Sequence, residues 1–135
     1  MVFPPKIPGL KLLLGAWVVY TAVWIPLEGA LVQVVMMGVA TAVLLLGHGW
    51  QRWLGGRRLS KAWGVLVTAV SGGLLGVGSA LLTFVFMAVK TGLHAHGPEF
   101  TRAEIAWVWQ VAPLGTAVCL LIGLGIGLIW AGVGD

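Results

Sequence analysis

Residues 12–46 read LLLGAWVVYTAVWIPLEGALVQVVMMGVATAVLLL, and Glu28 is the one charged side chain in the run. A single helix of that length would measure about 52 Å at 1.5 Å per residue, well beyond the ~30 Å hydrocarbon core of a bilayer. The stretch Ile25-Pro26-Leu27-Glu28-Gly29 supplies a break. Proline removes a backbone donor, glutamate prefers to leave lipid, and glycine permits a tight turn. The run therefore reads as two membrane helices, about 10–26 and 30–47. Both are short for a full crossing, so a re-entrant or partly inserted hairpin is the structural alternative.

The composition places the whole chain in lipid. Hydrophobic residues fill 59% of the 135 positions and charged residues 9%, with a mean hydropathy of +1.02. A soluble domain carries charge at roughly a quarter of its positions. The net charge of +4 is not a nucleic-acid signal, because the basic residues have no aromatic-interleaved polar surface to act with. Cys119 stands alone, which excludes an internal disulfide or a cysteine zinc cluster and leaves it a small packing residue. Lys6 and Lys11 precede an apolar run as in a signal peptide, but no small-x-small cleavage site follows, so a retained first helix is expected. The opening segment, with Pro4, Pro5 and Pro8, is expected to be extended.

Residues 47–61 are punctuated by glycine and carry Arg52, Arg57, Arg58 and Lys61, the pattern of a surface loop. Ser60 is placed to cap a third helix, about 62–91. Thr101-Arg-Ala-Glu104 is a capping box, with Phe100 and Ile105 at the staple positions, and opens a fourth helix, about 102–131. Pro113 is expected to open or kink it, with Gln110 and Thr116 near the freed backbone groups. The expected fold is an all-α integral membrane protein. It is a single domain, residues 1–135, and a compact four-transmembrane-helix bundle with short loops.

Four crossings put the N-terminus, the 47–61 loop and the C-terminus on one side. That side holds Lys6, Lys11, Arg52, Arg57, Arg58 and Lys61, against Lys90 and Arg102 opposite. The positive-inside rule then places both termini and the basic loop in the cytoplasm, in a bacterial plasma (inner) membrane or an equivalent energy-transducing membrane. Most tryptophans fall near one predicted boundary or the other; Trp17 lies deeper and faces lipid or another helix.

Candidate sites are few. Gly115, Cys119, Gly123 and Gly127 recur every four residues on the fourth helix, and Gly72, Gly76 and Ala80 do so on the third. That spacing presents a small-residue face, for packing between the two helices or for a partner. Lys90, His94, His96, Glu99 and Glu104 cluster between those helices; His94 and His96, with Glu99 as an oxygen ligand, are a candidate metal site. All three histidines read as helix-end residues, which disfavours a haem held by facing imidazoles. Arg52, Arg57, Arg58 and Lys61 set topology and meet lipid headgroups. No phosphate loop, zinc-protease helix or nucleophile elbow is present. The expected function is a non-catalytic accessory, stabilising or assembly subunit of a larger membrane protein complex. Its partners are membrane lipids and other integral membrane subunits or itself, with no nucleic acid and no cofactor bound by this chain alone. The alternatives are a small homo-oligomeric transporter or channel, with Thr68, Ser71, Thr83 and Thr116 lining a shared path, and a metal-binding or redox-associated membrane protein.

Overall fold

The computed structural model of the chain describes residues 2–27, 29–93 and 99–133. They form four helices, α1 (Leu10–Trp24), α2 (Leu31–Trp53), α3 (Lys61–Leu93) and α4 (Arg102–Val133). α2, α3 and α4 are each long and apolar enough to cross a membrane. α1 has 15 residues, about 22 Å of helix, which is less than the hydrocarbon thickness.

The helix ends follow local chemistry. Ser60 Oγ accepts the Trp63 N–H at 3.3 Å and caps α3. At α4 the box closes in both directions: Thr101 Oγ1 accepts the Glu104 N–H at 3.2 Å, and Glu104 Oε2 accepts the Thr101 N–H at 2.8 Å. Gln33 reaches back at the start of α2, its Oε1 accepting the Ala30 N–H at 3.2 Å. α4 is continuous through Pro113. The Thr116 hydroxyl bonds the Ala112 carbonyl at 2.8 Å, its own i−4 acceptor, and Gln110 is exposed.

The ends of α1 and α2 differ from the sequence reading, and α3 and α4 each run about two residues further than expected. α1 stops at Trp24 and not at 26, with the Leu27 N–H returning to the Trp24 carbonyl at 3.0 Å. α2 runs past Gly47 to Trp53, so His48, Trp50 and Arg52 are helical and the basic connection is shorter than 47–61. Two glycines cost helix propensity, about 1 kcal/mol each, but at membrane depth an unpaired backbone costs more. Trp50 secures the extension, its Nε1–H donating to Ser71 Oγ of α3 at 2.8 Å.

The helices form a bundle with an open packing. α3 is central and packs against both α4 and α2, while α1 lies mainly on α2 and reaches α3 at Trp24. The surface of 8652 Å² exceeds the roughly 6,800 Å² that a compact monomer of this mass exposes. Lipid explains the difference, because apolar side chains gain nothing by leaving it and helices join only where they fit closely. Large apolar residues accordingly face outward on every helix, among them Leu12, Val32, Leu81 and Ile129.

The N-terminal segment binds the basic end together. Val2 pairs with Arg58 in an antiparallel bridge, and the Phe3 carbonyl accepts the Gly56 N–H at 3.0 Å. Gly56 adopts φ +75°, a left-handed backbone that favours glycine. The Phe3 ring is buried between Trp50 and Trp130, with centroids 5.5 and 5.3 Å away. The N-terminus, the end of α2 and the end of α4 thus meet at one pole.

Candidate functional site

The opposite pole holds a fully buried lysine. Lys90, in the last turn of α3, is 0% exposed. Its Nζ donates to the Leu27 carbonyl, stands 3.5 Å from Glu99 Oε2 and lies 4.7 Å from the centre of the Trp24 ring. Burying an ammonium costs several kcal/mol after relaxation. Here a carbonyl, a carboxylate and an aromatic face replace its water. Gly29 leaves the room: a Cβ there would lie 2.9 Å from Trp24 Cζ2 and 3.2 Å from Lys90 Cε. Its backbone is not left-handed, so this glycine serves close approach and not the turn itself. Trp24, Val34, Met37, Met87, Phe100 and Val108 form the apolar core beside the cluster. The lysine therefore ties the α1–α2 turn to the segment that leads into α4.

Of the candidate metal ligands, His94 and His96 lie outside the described residues. Glu99 faces the Lys90 ammonium, and Glu104 is engaged by Thr101. Among the described residues no group of three or more His, Cys, Asp and Glu converges.

The small residues divide by partner. A Cβ on Gly72 would run into the Cys119 carbonyl, one on Gly76 into Thr116 Cα, one on Gly123 into the Thr68 carbonyl, and one on Gly127 into Thr68 Oγ1. These four sit at the α3–α4 crossing, where backbones come within reach of one another. Gly115 meets nothing within 4 Å. The α2–α3 crossing rests on Gly38, where a Cβ would lie 2.8 Å from the Ser79 carbonyl oxygen and would strike Thr83 Oγ1. Sequence reasoning passed over Gly38; its signal was the pair Gly38 and Ala42, four residues apart and both buried.

Several intramembrane hydroxyls are engaged within the chain, whereas Thr21 Oγ1 is buried without a hydrogen-bond partner. Thr68, Ser79 and Thr83 donate to carbonyls one turn back at 3.1, 2.6 and 2.8 Å. Ser71 accepts from Trp50, and Thr41 Oγ1 accepts the Trp17 Nε1–H at 2.9 Å. Trp17, which fits neither aromatic boundary, thus joins α1 to α2. Thr68, Ser71 and Thr83 are buried, with their hydroxyls turned to these partners.

The splayed helices leave a groove along α3. One part, about 200 Å³, is lined by Gly76, Ala80, Trp107, Val111, Gly115 and Cys119. A second, about 160 Å³, continues from Cys119 and Leu75 to Ile122, Ile126, Leu46 and Trp50. No charged side chain lines either part. Cys119 therefore has no acid, base or second thiol beside it there, and the groove offers contact surface without reaction chemistry. Comparison of the chain with family models, with curated proteins and with solved structures returns no match.

Proposed function

We propose that this chain is an accessory, stabilising or assembly subunit of a larger membrane protein complex. It is a small all-helical membrane protein whose described residues form no catalytic or metal-binding constellation. One observation carries the proposal: the hydroxyls of Thr68, Ser71 and Thr83 and the indoles of Trp17 and Trp50 are paired inside the chain, while the apolar groove between α2 and α4 stands open. A polar path shared between copies would need Thr68, Ser71 and Thr83 turned outward, and they are buried. The groove, floored by small residues, suits a helix of another subunit.

In this role α1, with its flanking turn, makes the fourth crossing. The basic pole lies in the cytoplasm of a bacterial plasma membrane or an equivalent energy-transducing membrane. Support comes from charge: Lys6, Lys11, Arg52, Arg57, Arg58 and Lys61 belong to that pole, whereas at the other Lys90 is buried against Glu99 and leaves Arg102.

Photo-crosslinking tests the partner face. A crosslinkable residue at Ala80 or Val111, both lining the groove, is expected to trap the same integral membrane polypeptide from both positions. One at Leu12, 78% exposed on α1, is expected to trap only lipid. Adducts with a second copy of this chain alone, or none from the groove, would count against the assignment.

A further inference from the structure

At the basic pole α2 and α3 leave a cleft of about 530 Å³ lined by Leu45, Leu46, His48, Arg52, Trp53 and Leu74, together with the bonded pair Trp50 and Ser71. Leu45, His48 and Arg52 recur at three and four residues and share one face of α2. His48 and Arg52 are exposed, and Trp53 is 70% exposed. The two described carboxylates, Glu99 and Glu104, are engaged at the other pole, so among the described residues no acid answers Arg52. Arg57 and Arg58 are exposed at the same pole. Leu46, Trp50 and Ser71, which also line the uncharged groove on the α4 side, form the wall between the two, and the cleft's own interior is apolar through Leu45, Leu46 and Leu74.

A cleft with a basic rim and an apolar lining matches a molecule with an anionic head and a hydrocarbon tail. We propose that this cleft binds an anionic phospholipid. The phosphate sits against Arg52 and His48, Trp53 packs at headgroup level, and one acyl chain lies along Leu45, Leu46 and Leu74. An acidic peptide would satisfy the charge but would leave the leucine lining of the cleft uncovered. The assignment requires only that the chain lies in a membrane, so it stands or falls separately from the accessory role.

The test uses the full chain, purified in detergent and titrated with phosphatidylglycerol or with phosphatidylcholine of the same acyl composition. Native mass spectrometry counts the adducts. One phosphatidylglycerol per chain is expected to survive where phosphatidylcholine is lost. Arg52→Gln is expected to weaken retention about fivefold, the equivalent of ~1 kcal/mol for one basic residue at an anionic surface. Leu74→Trp fills the cleft while keeping every charge, and it is expected to reduce retention at least as much. Arg58→Gln, outside the cleft lining, is expected to keep the one-to-one adduct. Circular dichroism establishes that each variant is folded; if Leu74→Trp is not, the Arg52 and Arg58 comparison decides. Equal retention of the two lipids, equal losses from Arg52→Gln and Arg58→Gln, or displacement by inorganic phosphate or an acidic peptide would overturn the proposal.

Discussion

The Lys90 ammonium stands 3.5 Å from the Glu99 carboxylate with none of its side chain exposed. It also holds the Leu27 carbonyl, which is 63 positions away in the chain. Two connections at one pole are joined through this single side chain.

Removing the lysine charge is therefore costly. Lys90→Met is expected to destabilise the protein by about 3 kcal/mol, the usual cost of leaving one member of a buried pair behind. Glu99→Gln in the same chain is expected to restore part of that loss, since the two sites are coupled. Thermal melts in detergent measure both. Equal stability of wild type and Lys90→Met would show that the buried pair contributes nothing.

The α3–α4 crossing predicts a contrast between neighbouring glycines. At Gly123 a Cβ meets a backbone carbonyl, which cannot swing aside, whereas at Gly125 it meets nothing within 4 Å. Gly123→Ala should lose about 1–3 kcal/mol through overpacking. Gly125→Ala should be neutral or gain up to about 1 kcal/mol from helix propensity. Equal effects in a denaturation series would mean that the two helices are not this close.

Trp17 and Thr41 form a bond inside the membrane at 2.9 Å. Trp17→Phe and Thr41→Val are each expected to cost well under 2 kcal/mol, with a coupling near ~0.6 kcal/mol in a double-mutant cycle. A coupling of zero would detach α1 from α2 at this level.

Glu99, the oxygen ligand expected beside His94 and His96, is already paired with the Lys90 ammonium. Metal analysis of the purified chain and of His94→Ala/His96→Ala is expected to find equal, near-zero content in both. Stoichiometric metal in the wild type, lost in the variant, would reverse this expectation.

Much of the fold was legible because its signals are local. Pro26 to Gly29 marked the α1–α2 turn, and Ser60, Thr101 and Glu104 marked helix starts by chemistry that acts over three residues. Gly47 and Gly49 misled because glycine ends helices in water, while in lipid the backbone must stay paired and α2 continues. Lys90 read as a topology charge at a helix end. Its burial depends on Trp24, Leu27 and Glu99, contacts that no local pattern encodes. The open groove was equally hidden, because small residues every four positions do not say which of them find a partner. Gly123 does, and Gly115 does not.

The accessory role is tested most directly by native mass analysis of the chain extracted from its own membrane in mild detergent. The predicted result is stable co-purification, in fixed stoichiometry, with larger integral membrane subunits that are not copies of it. A homogeneous homo-oligomer that passes ions when placed in liposomes would contradict it.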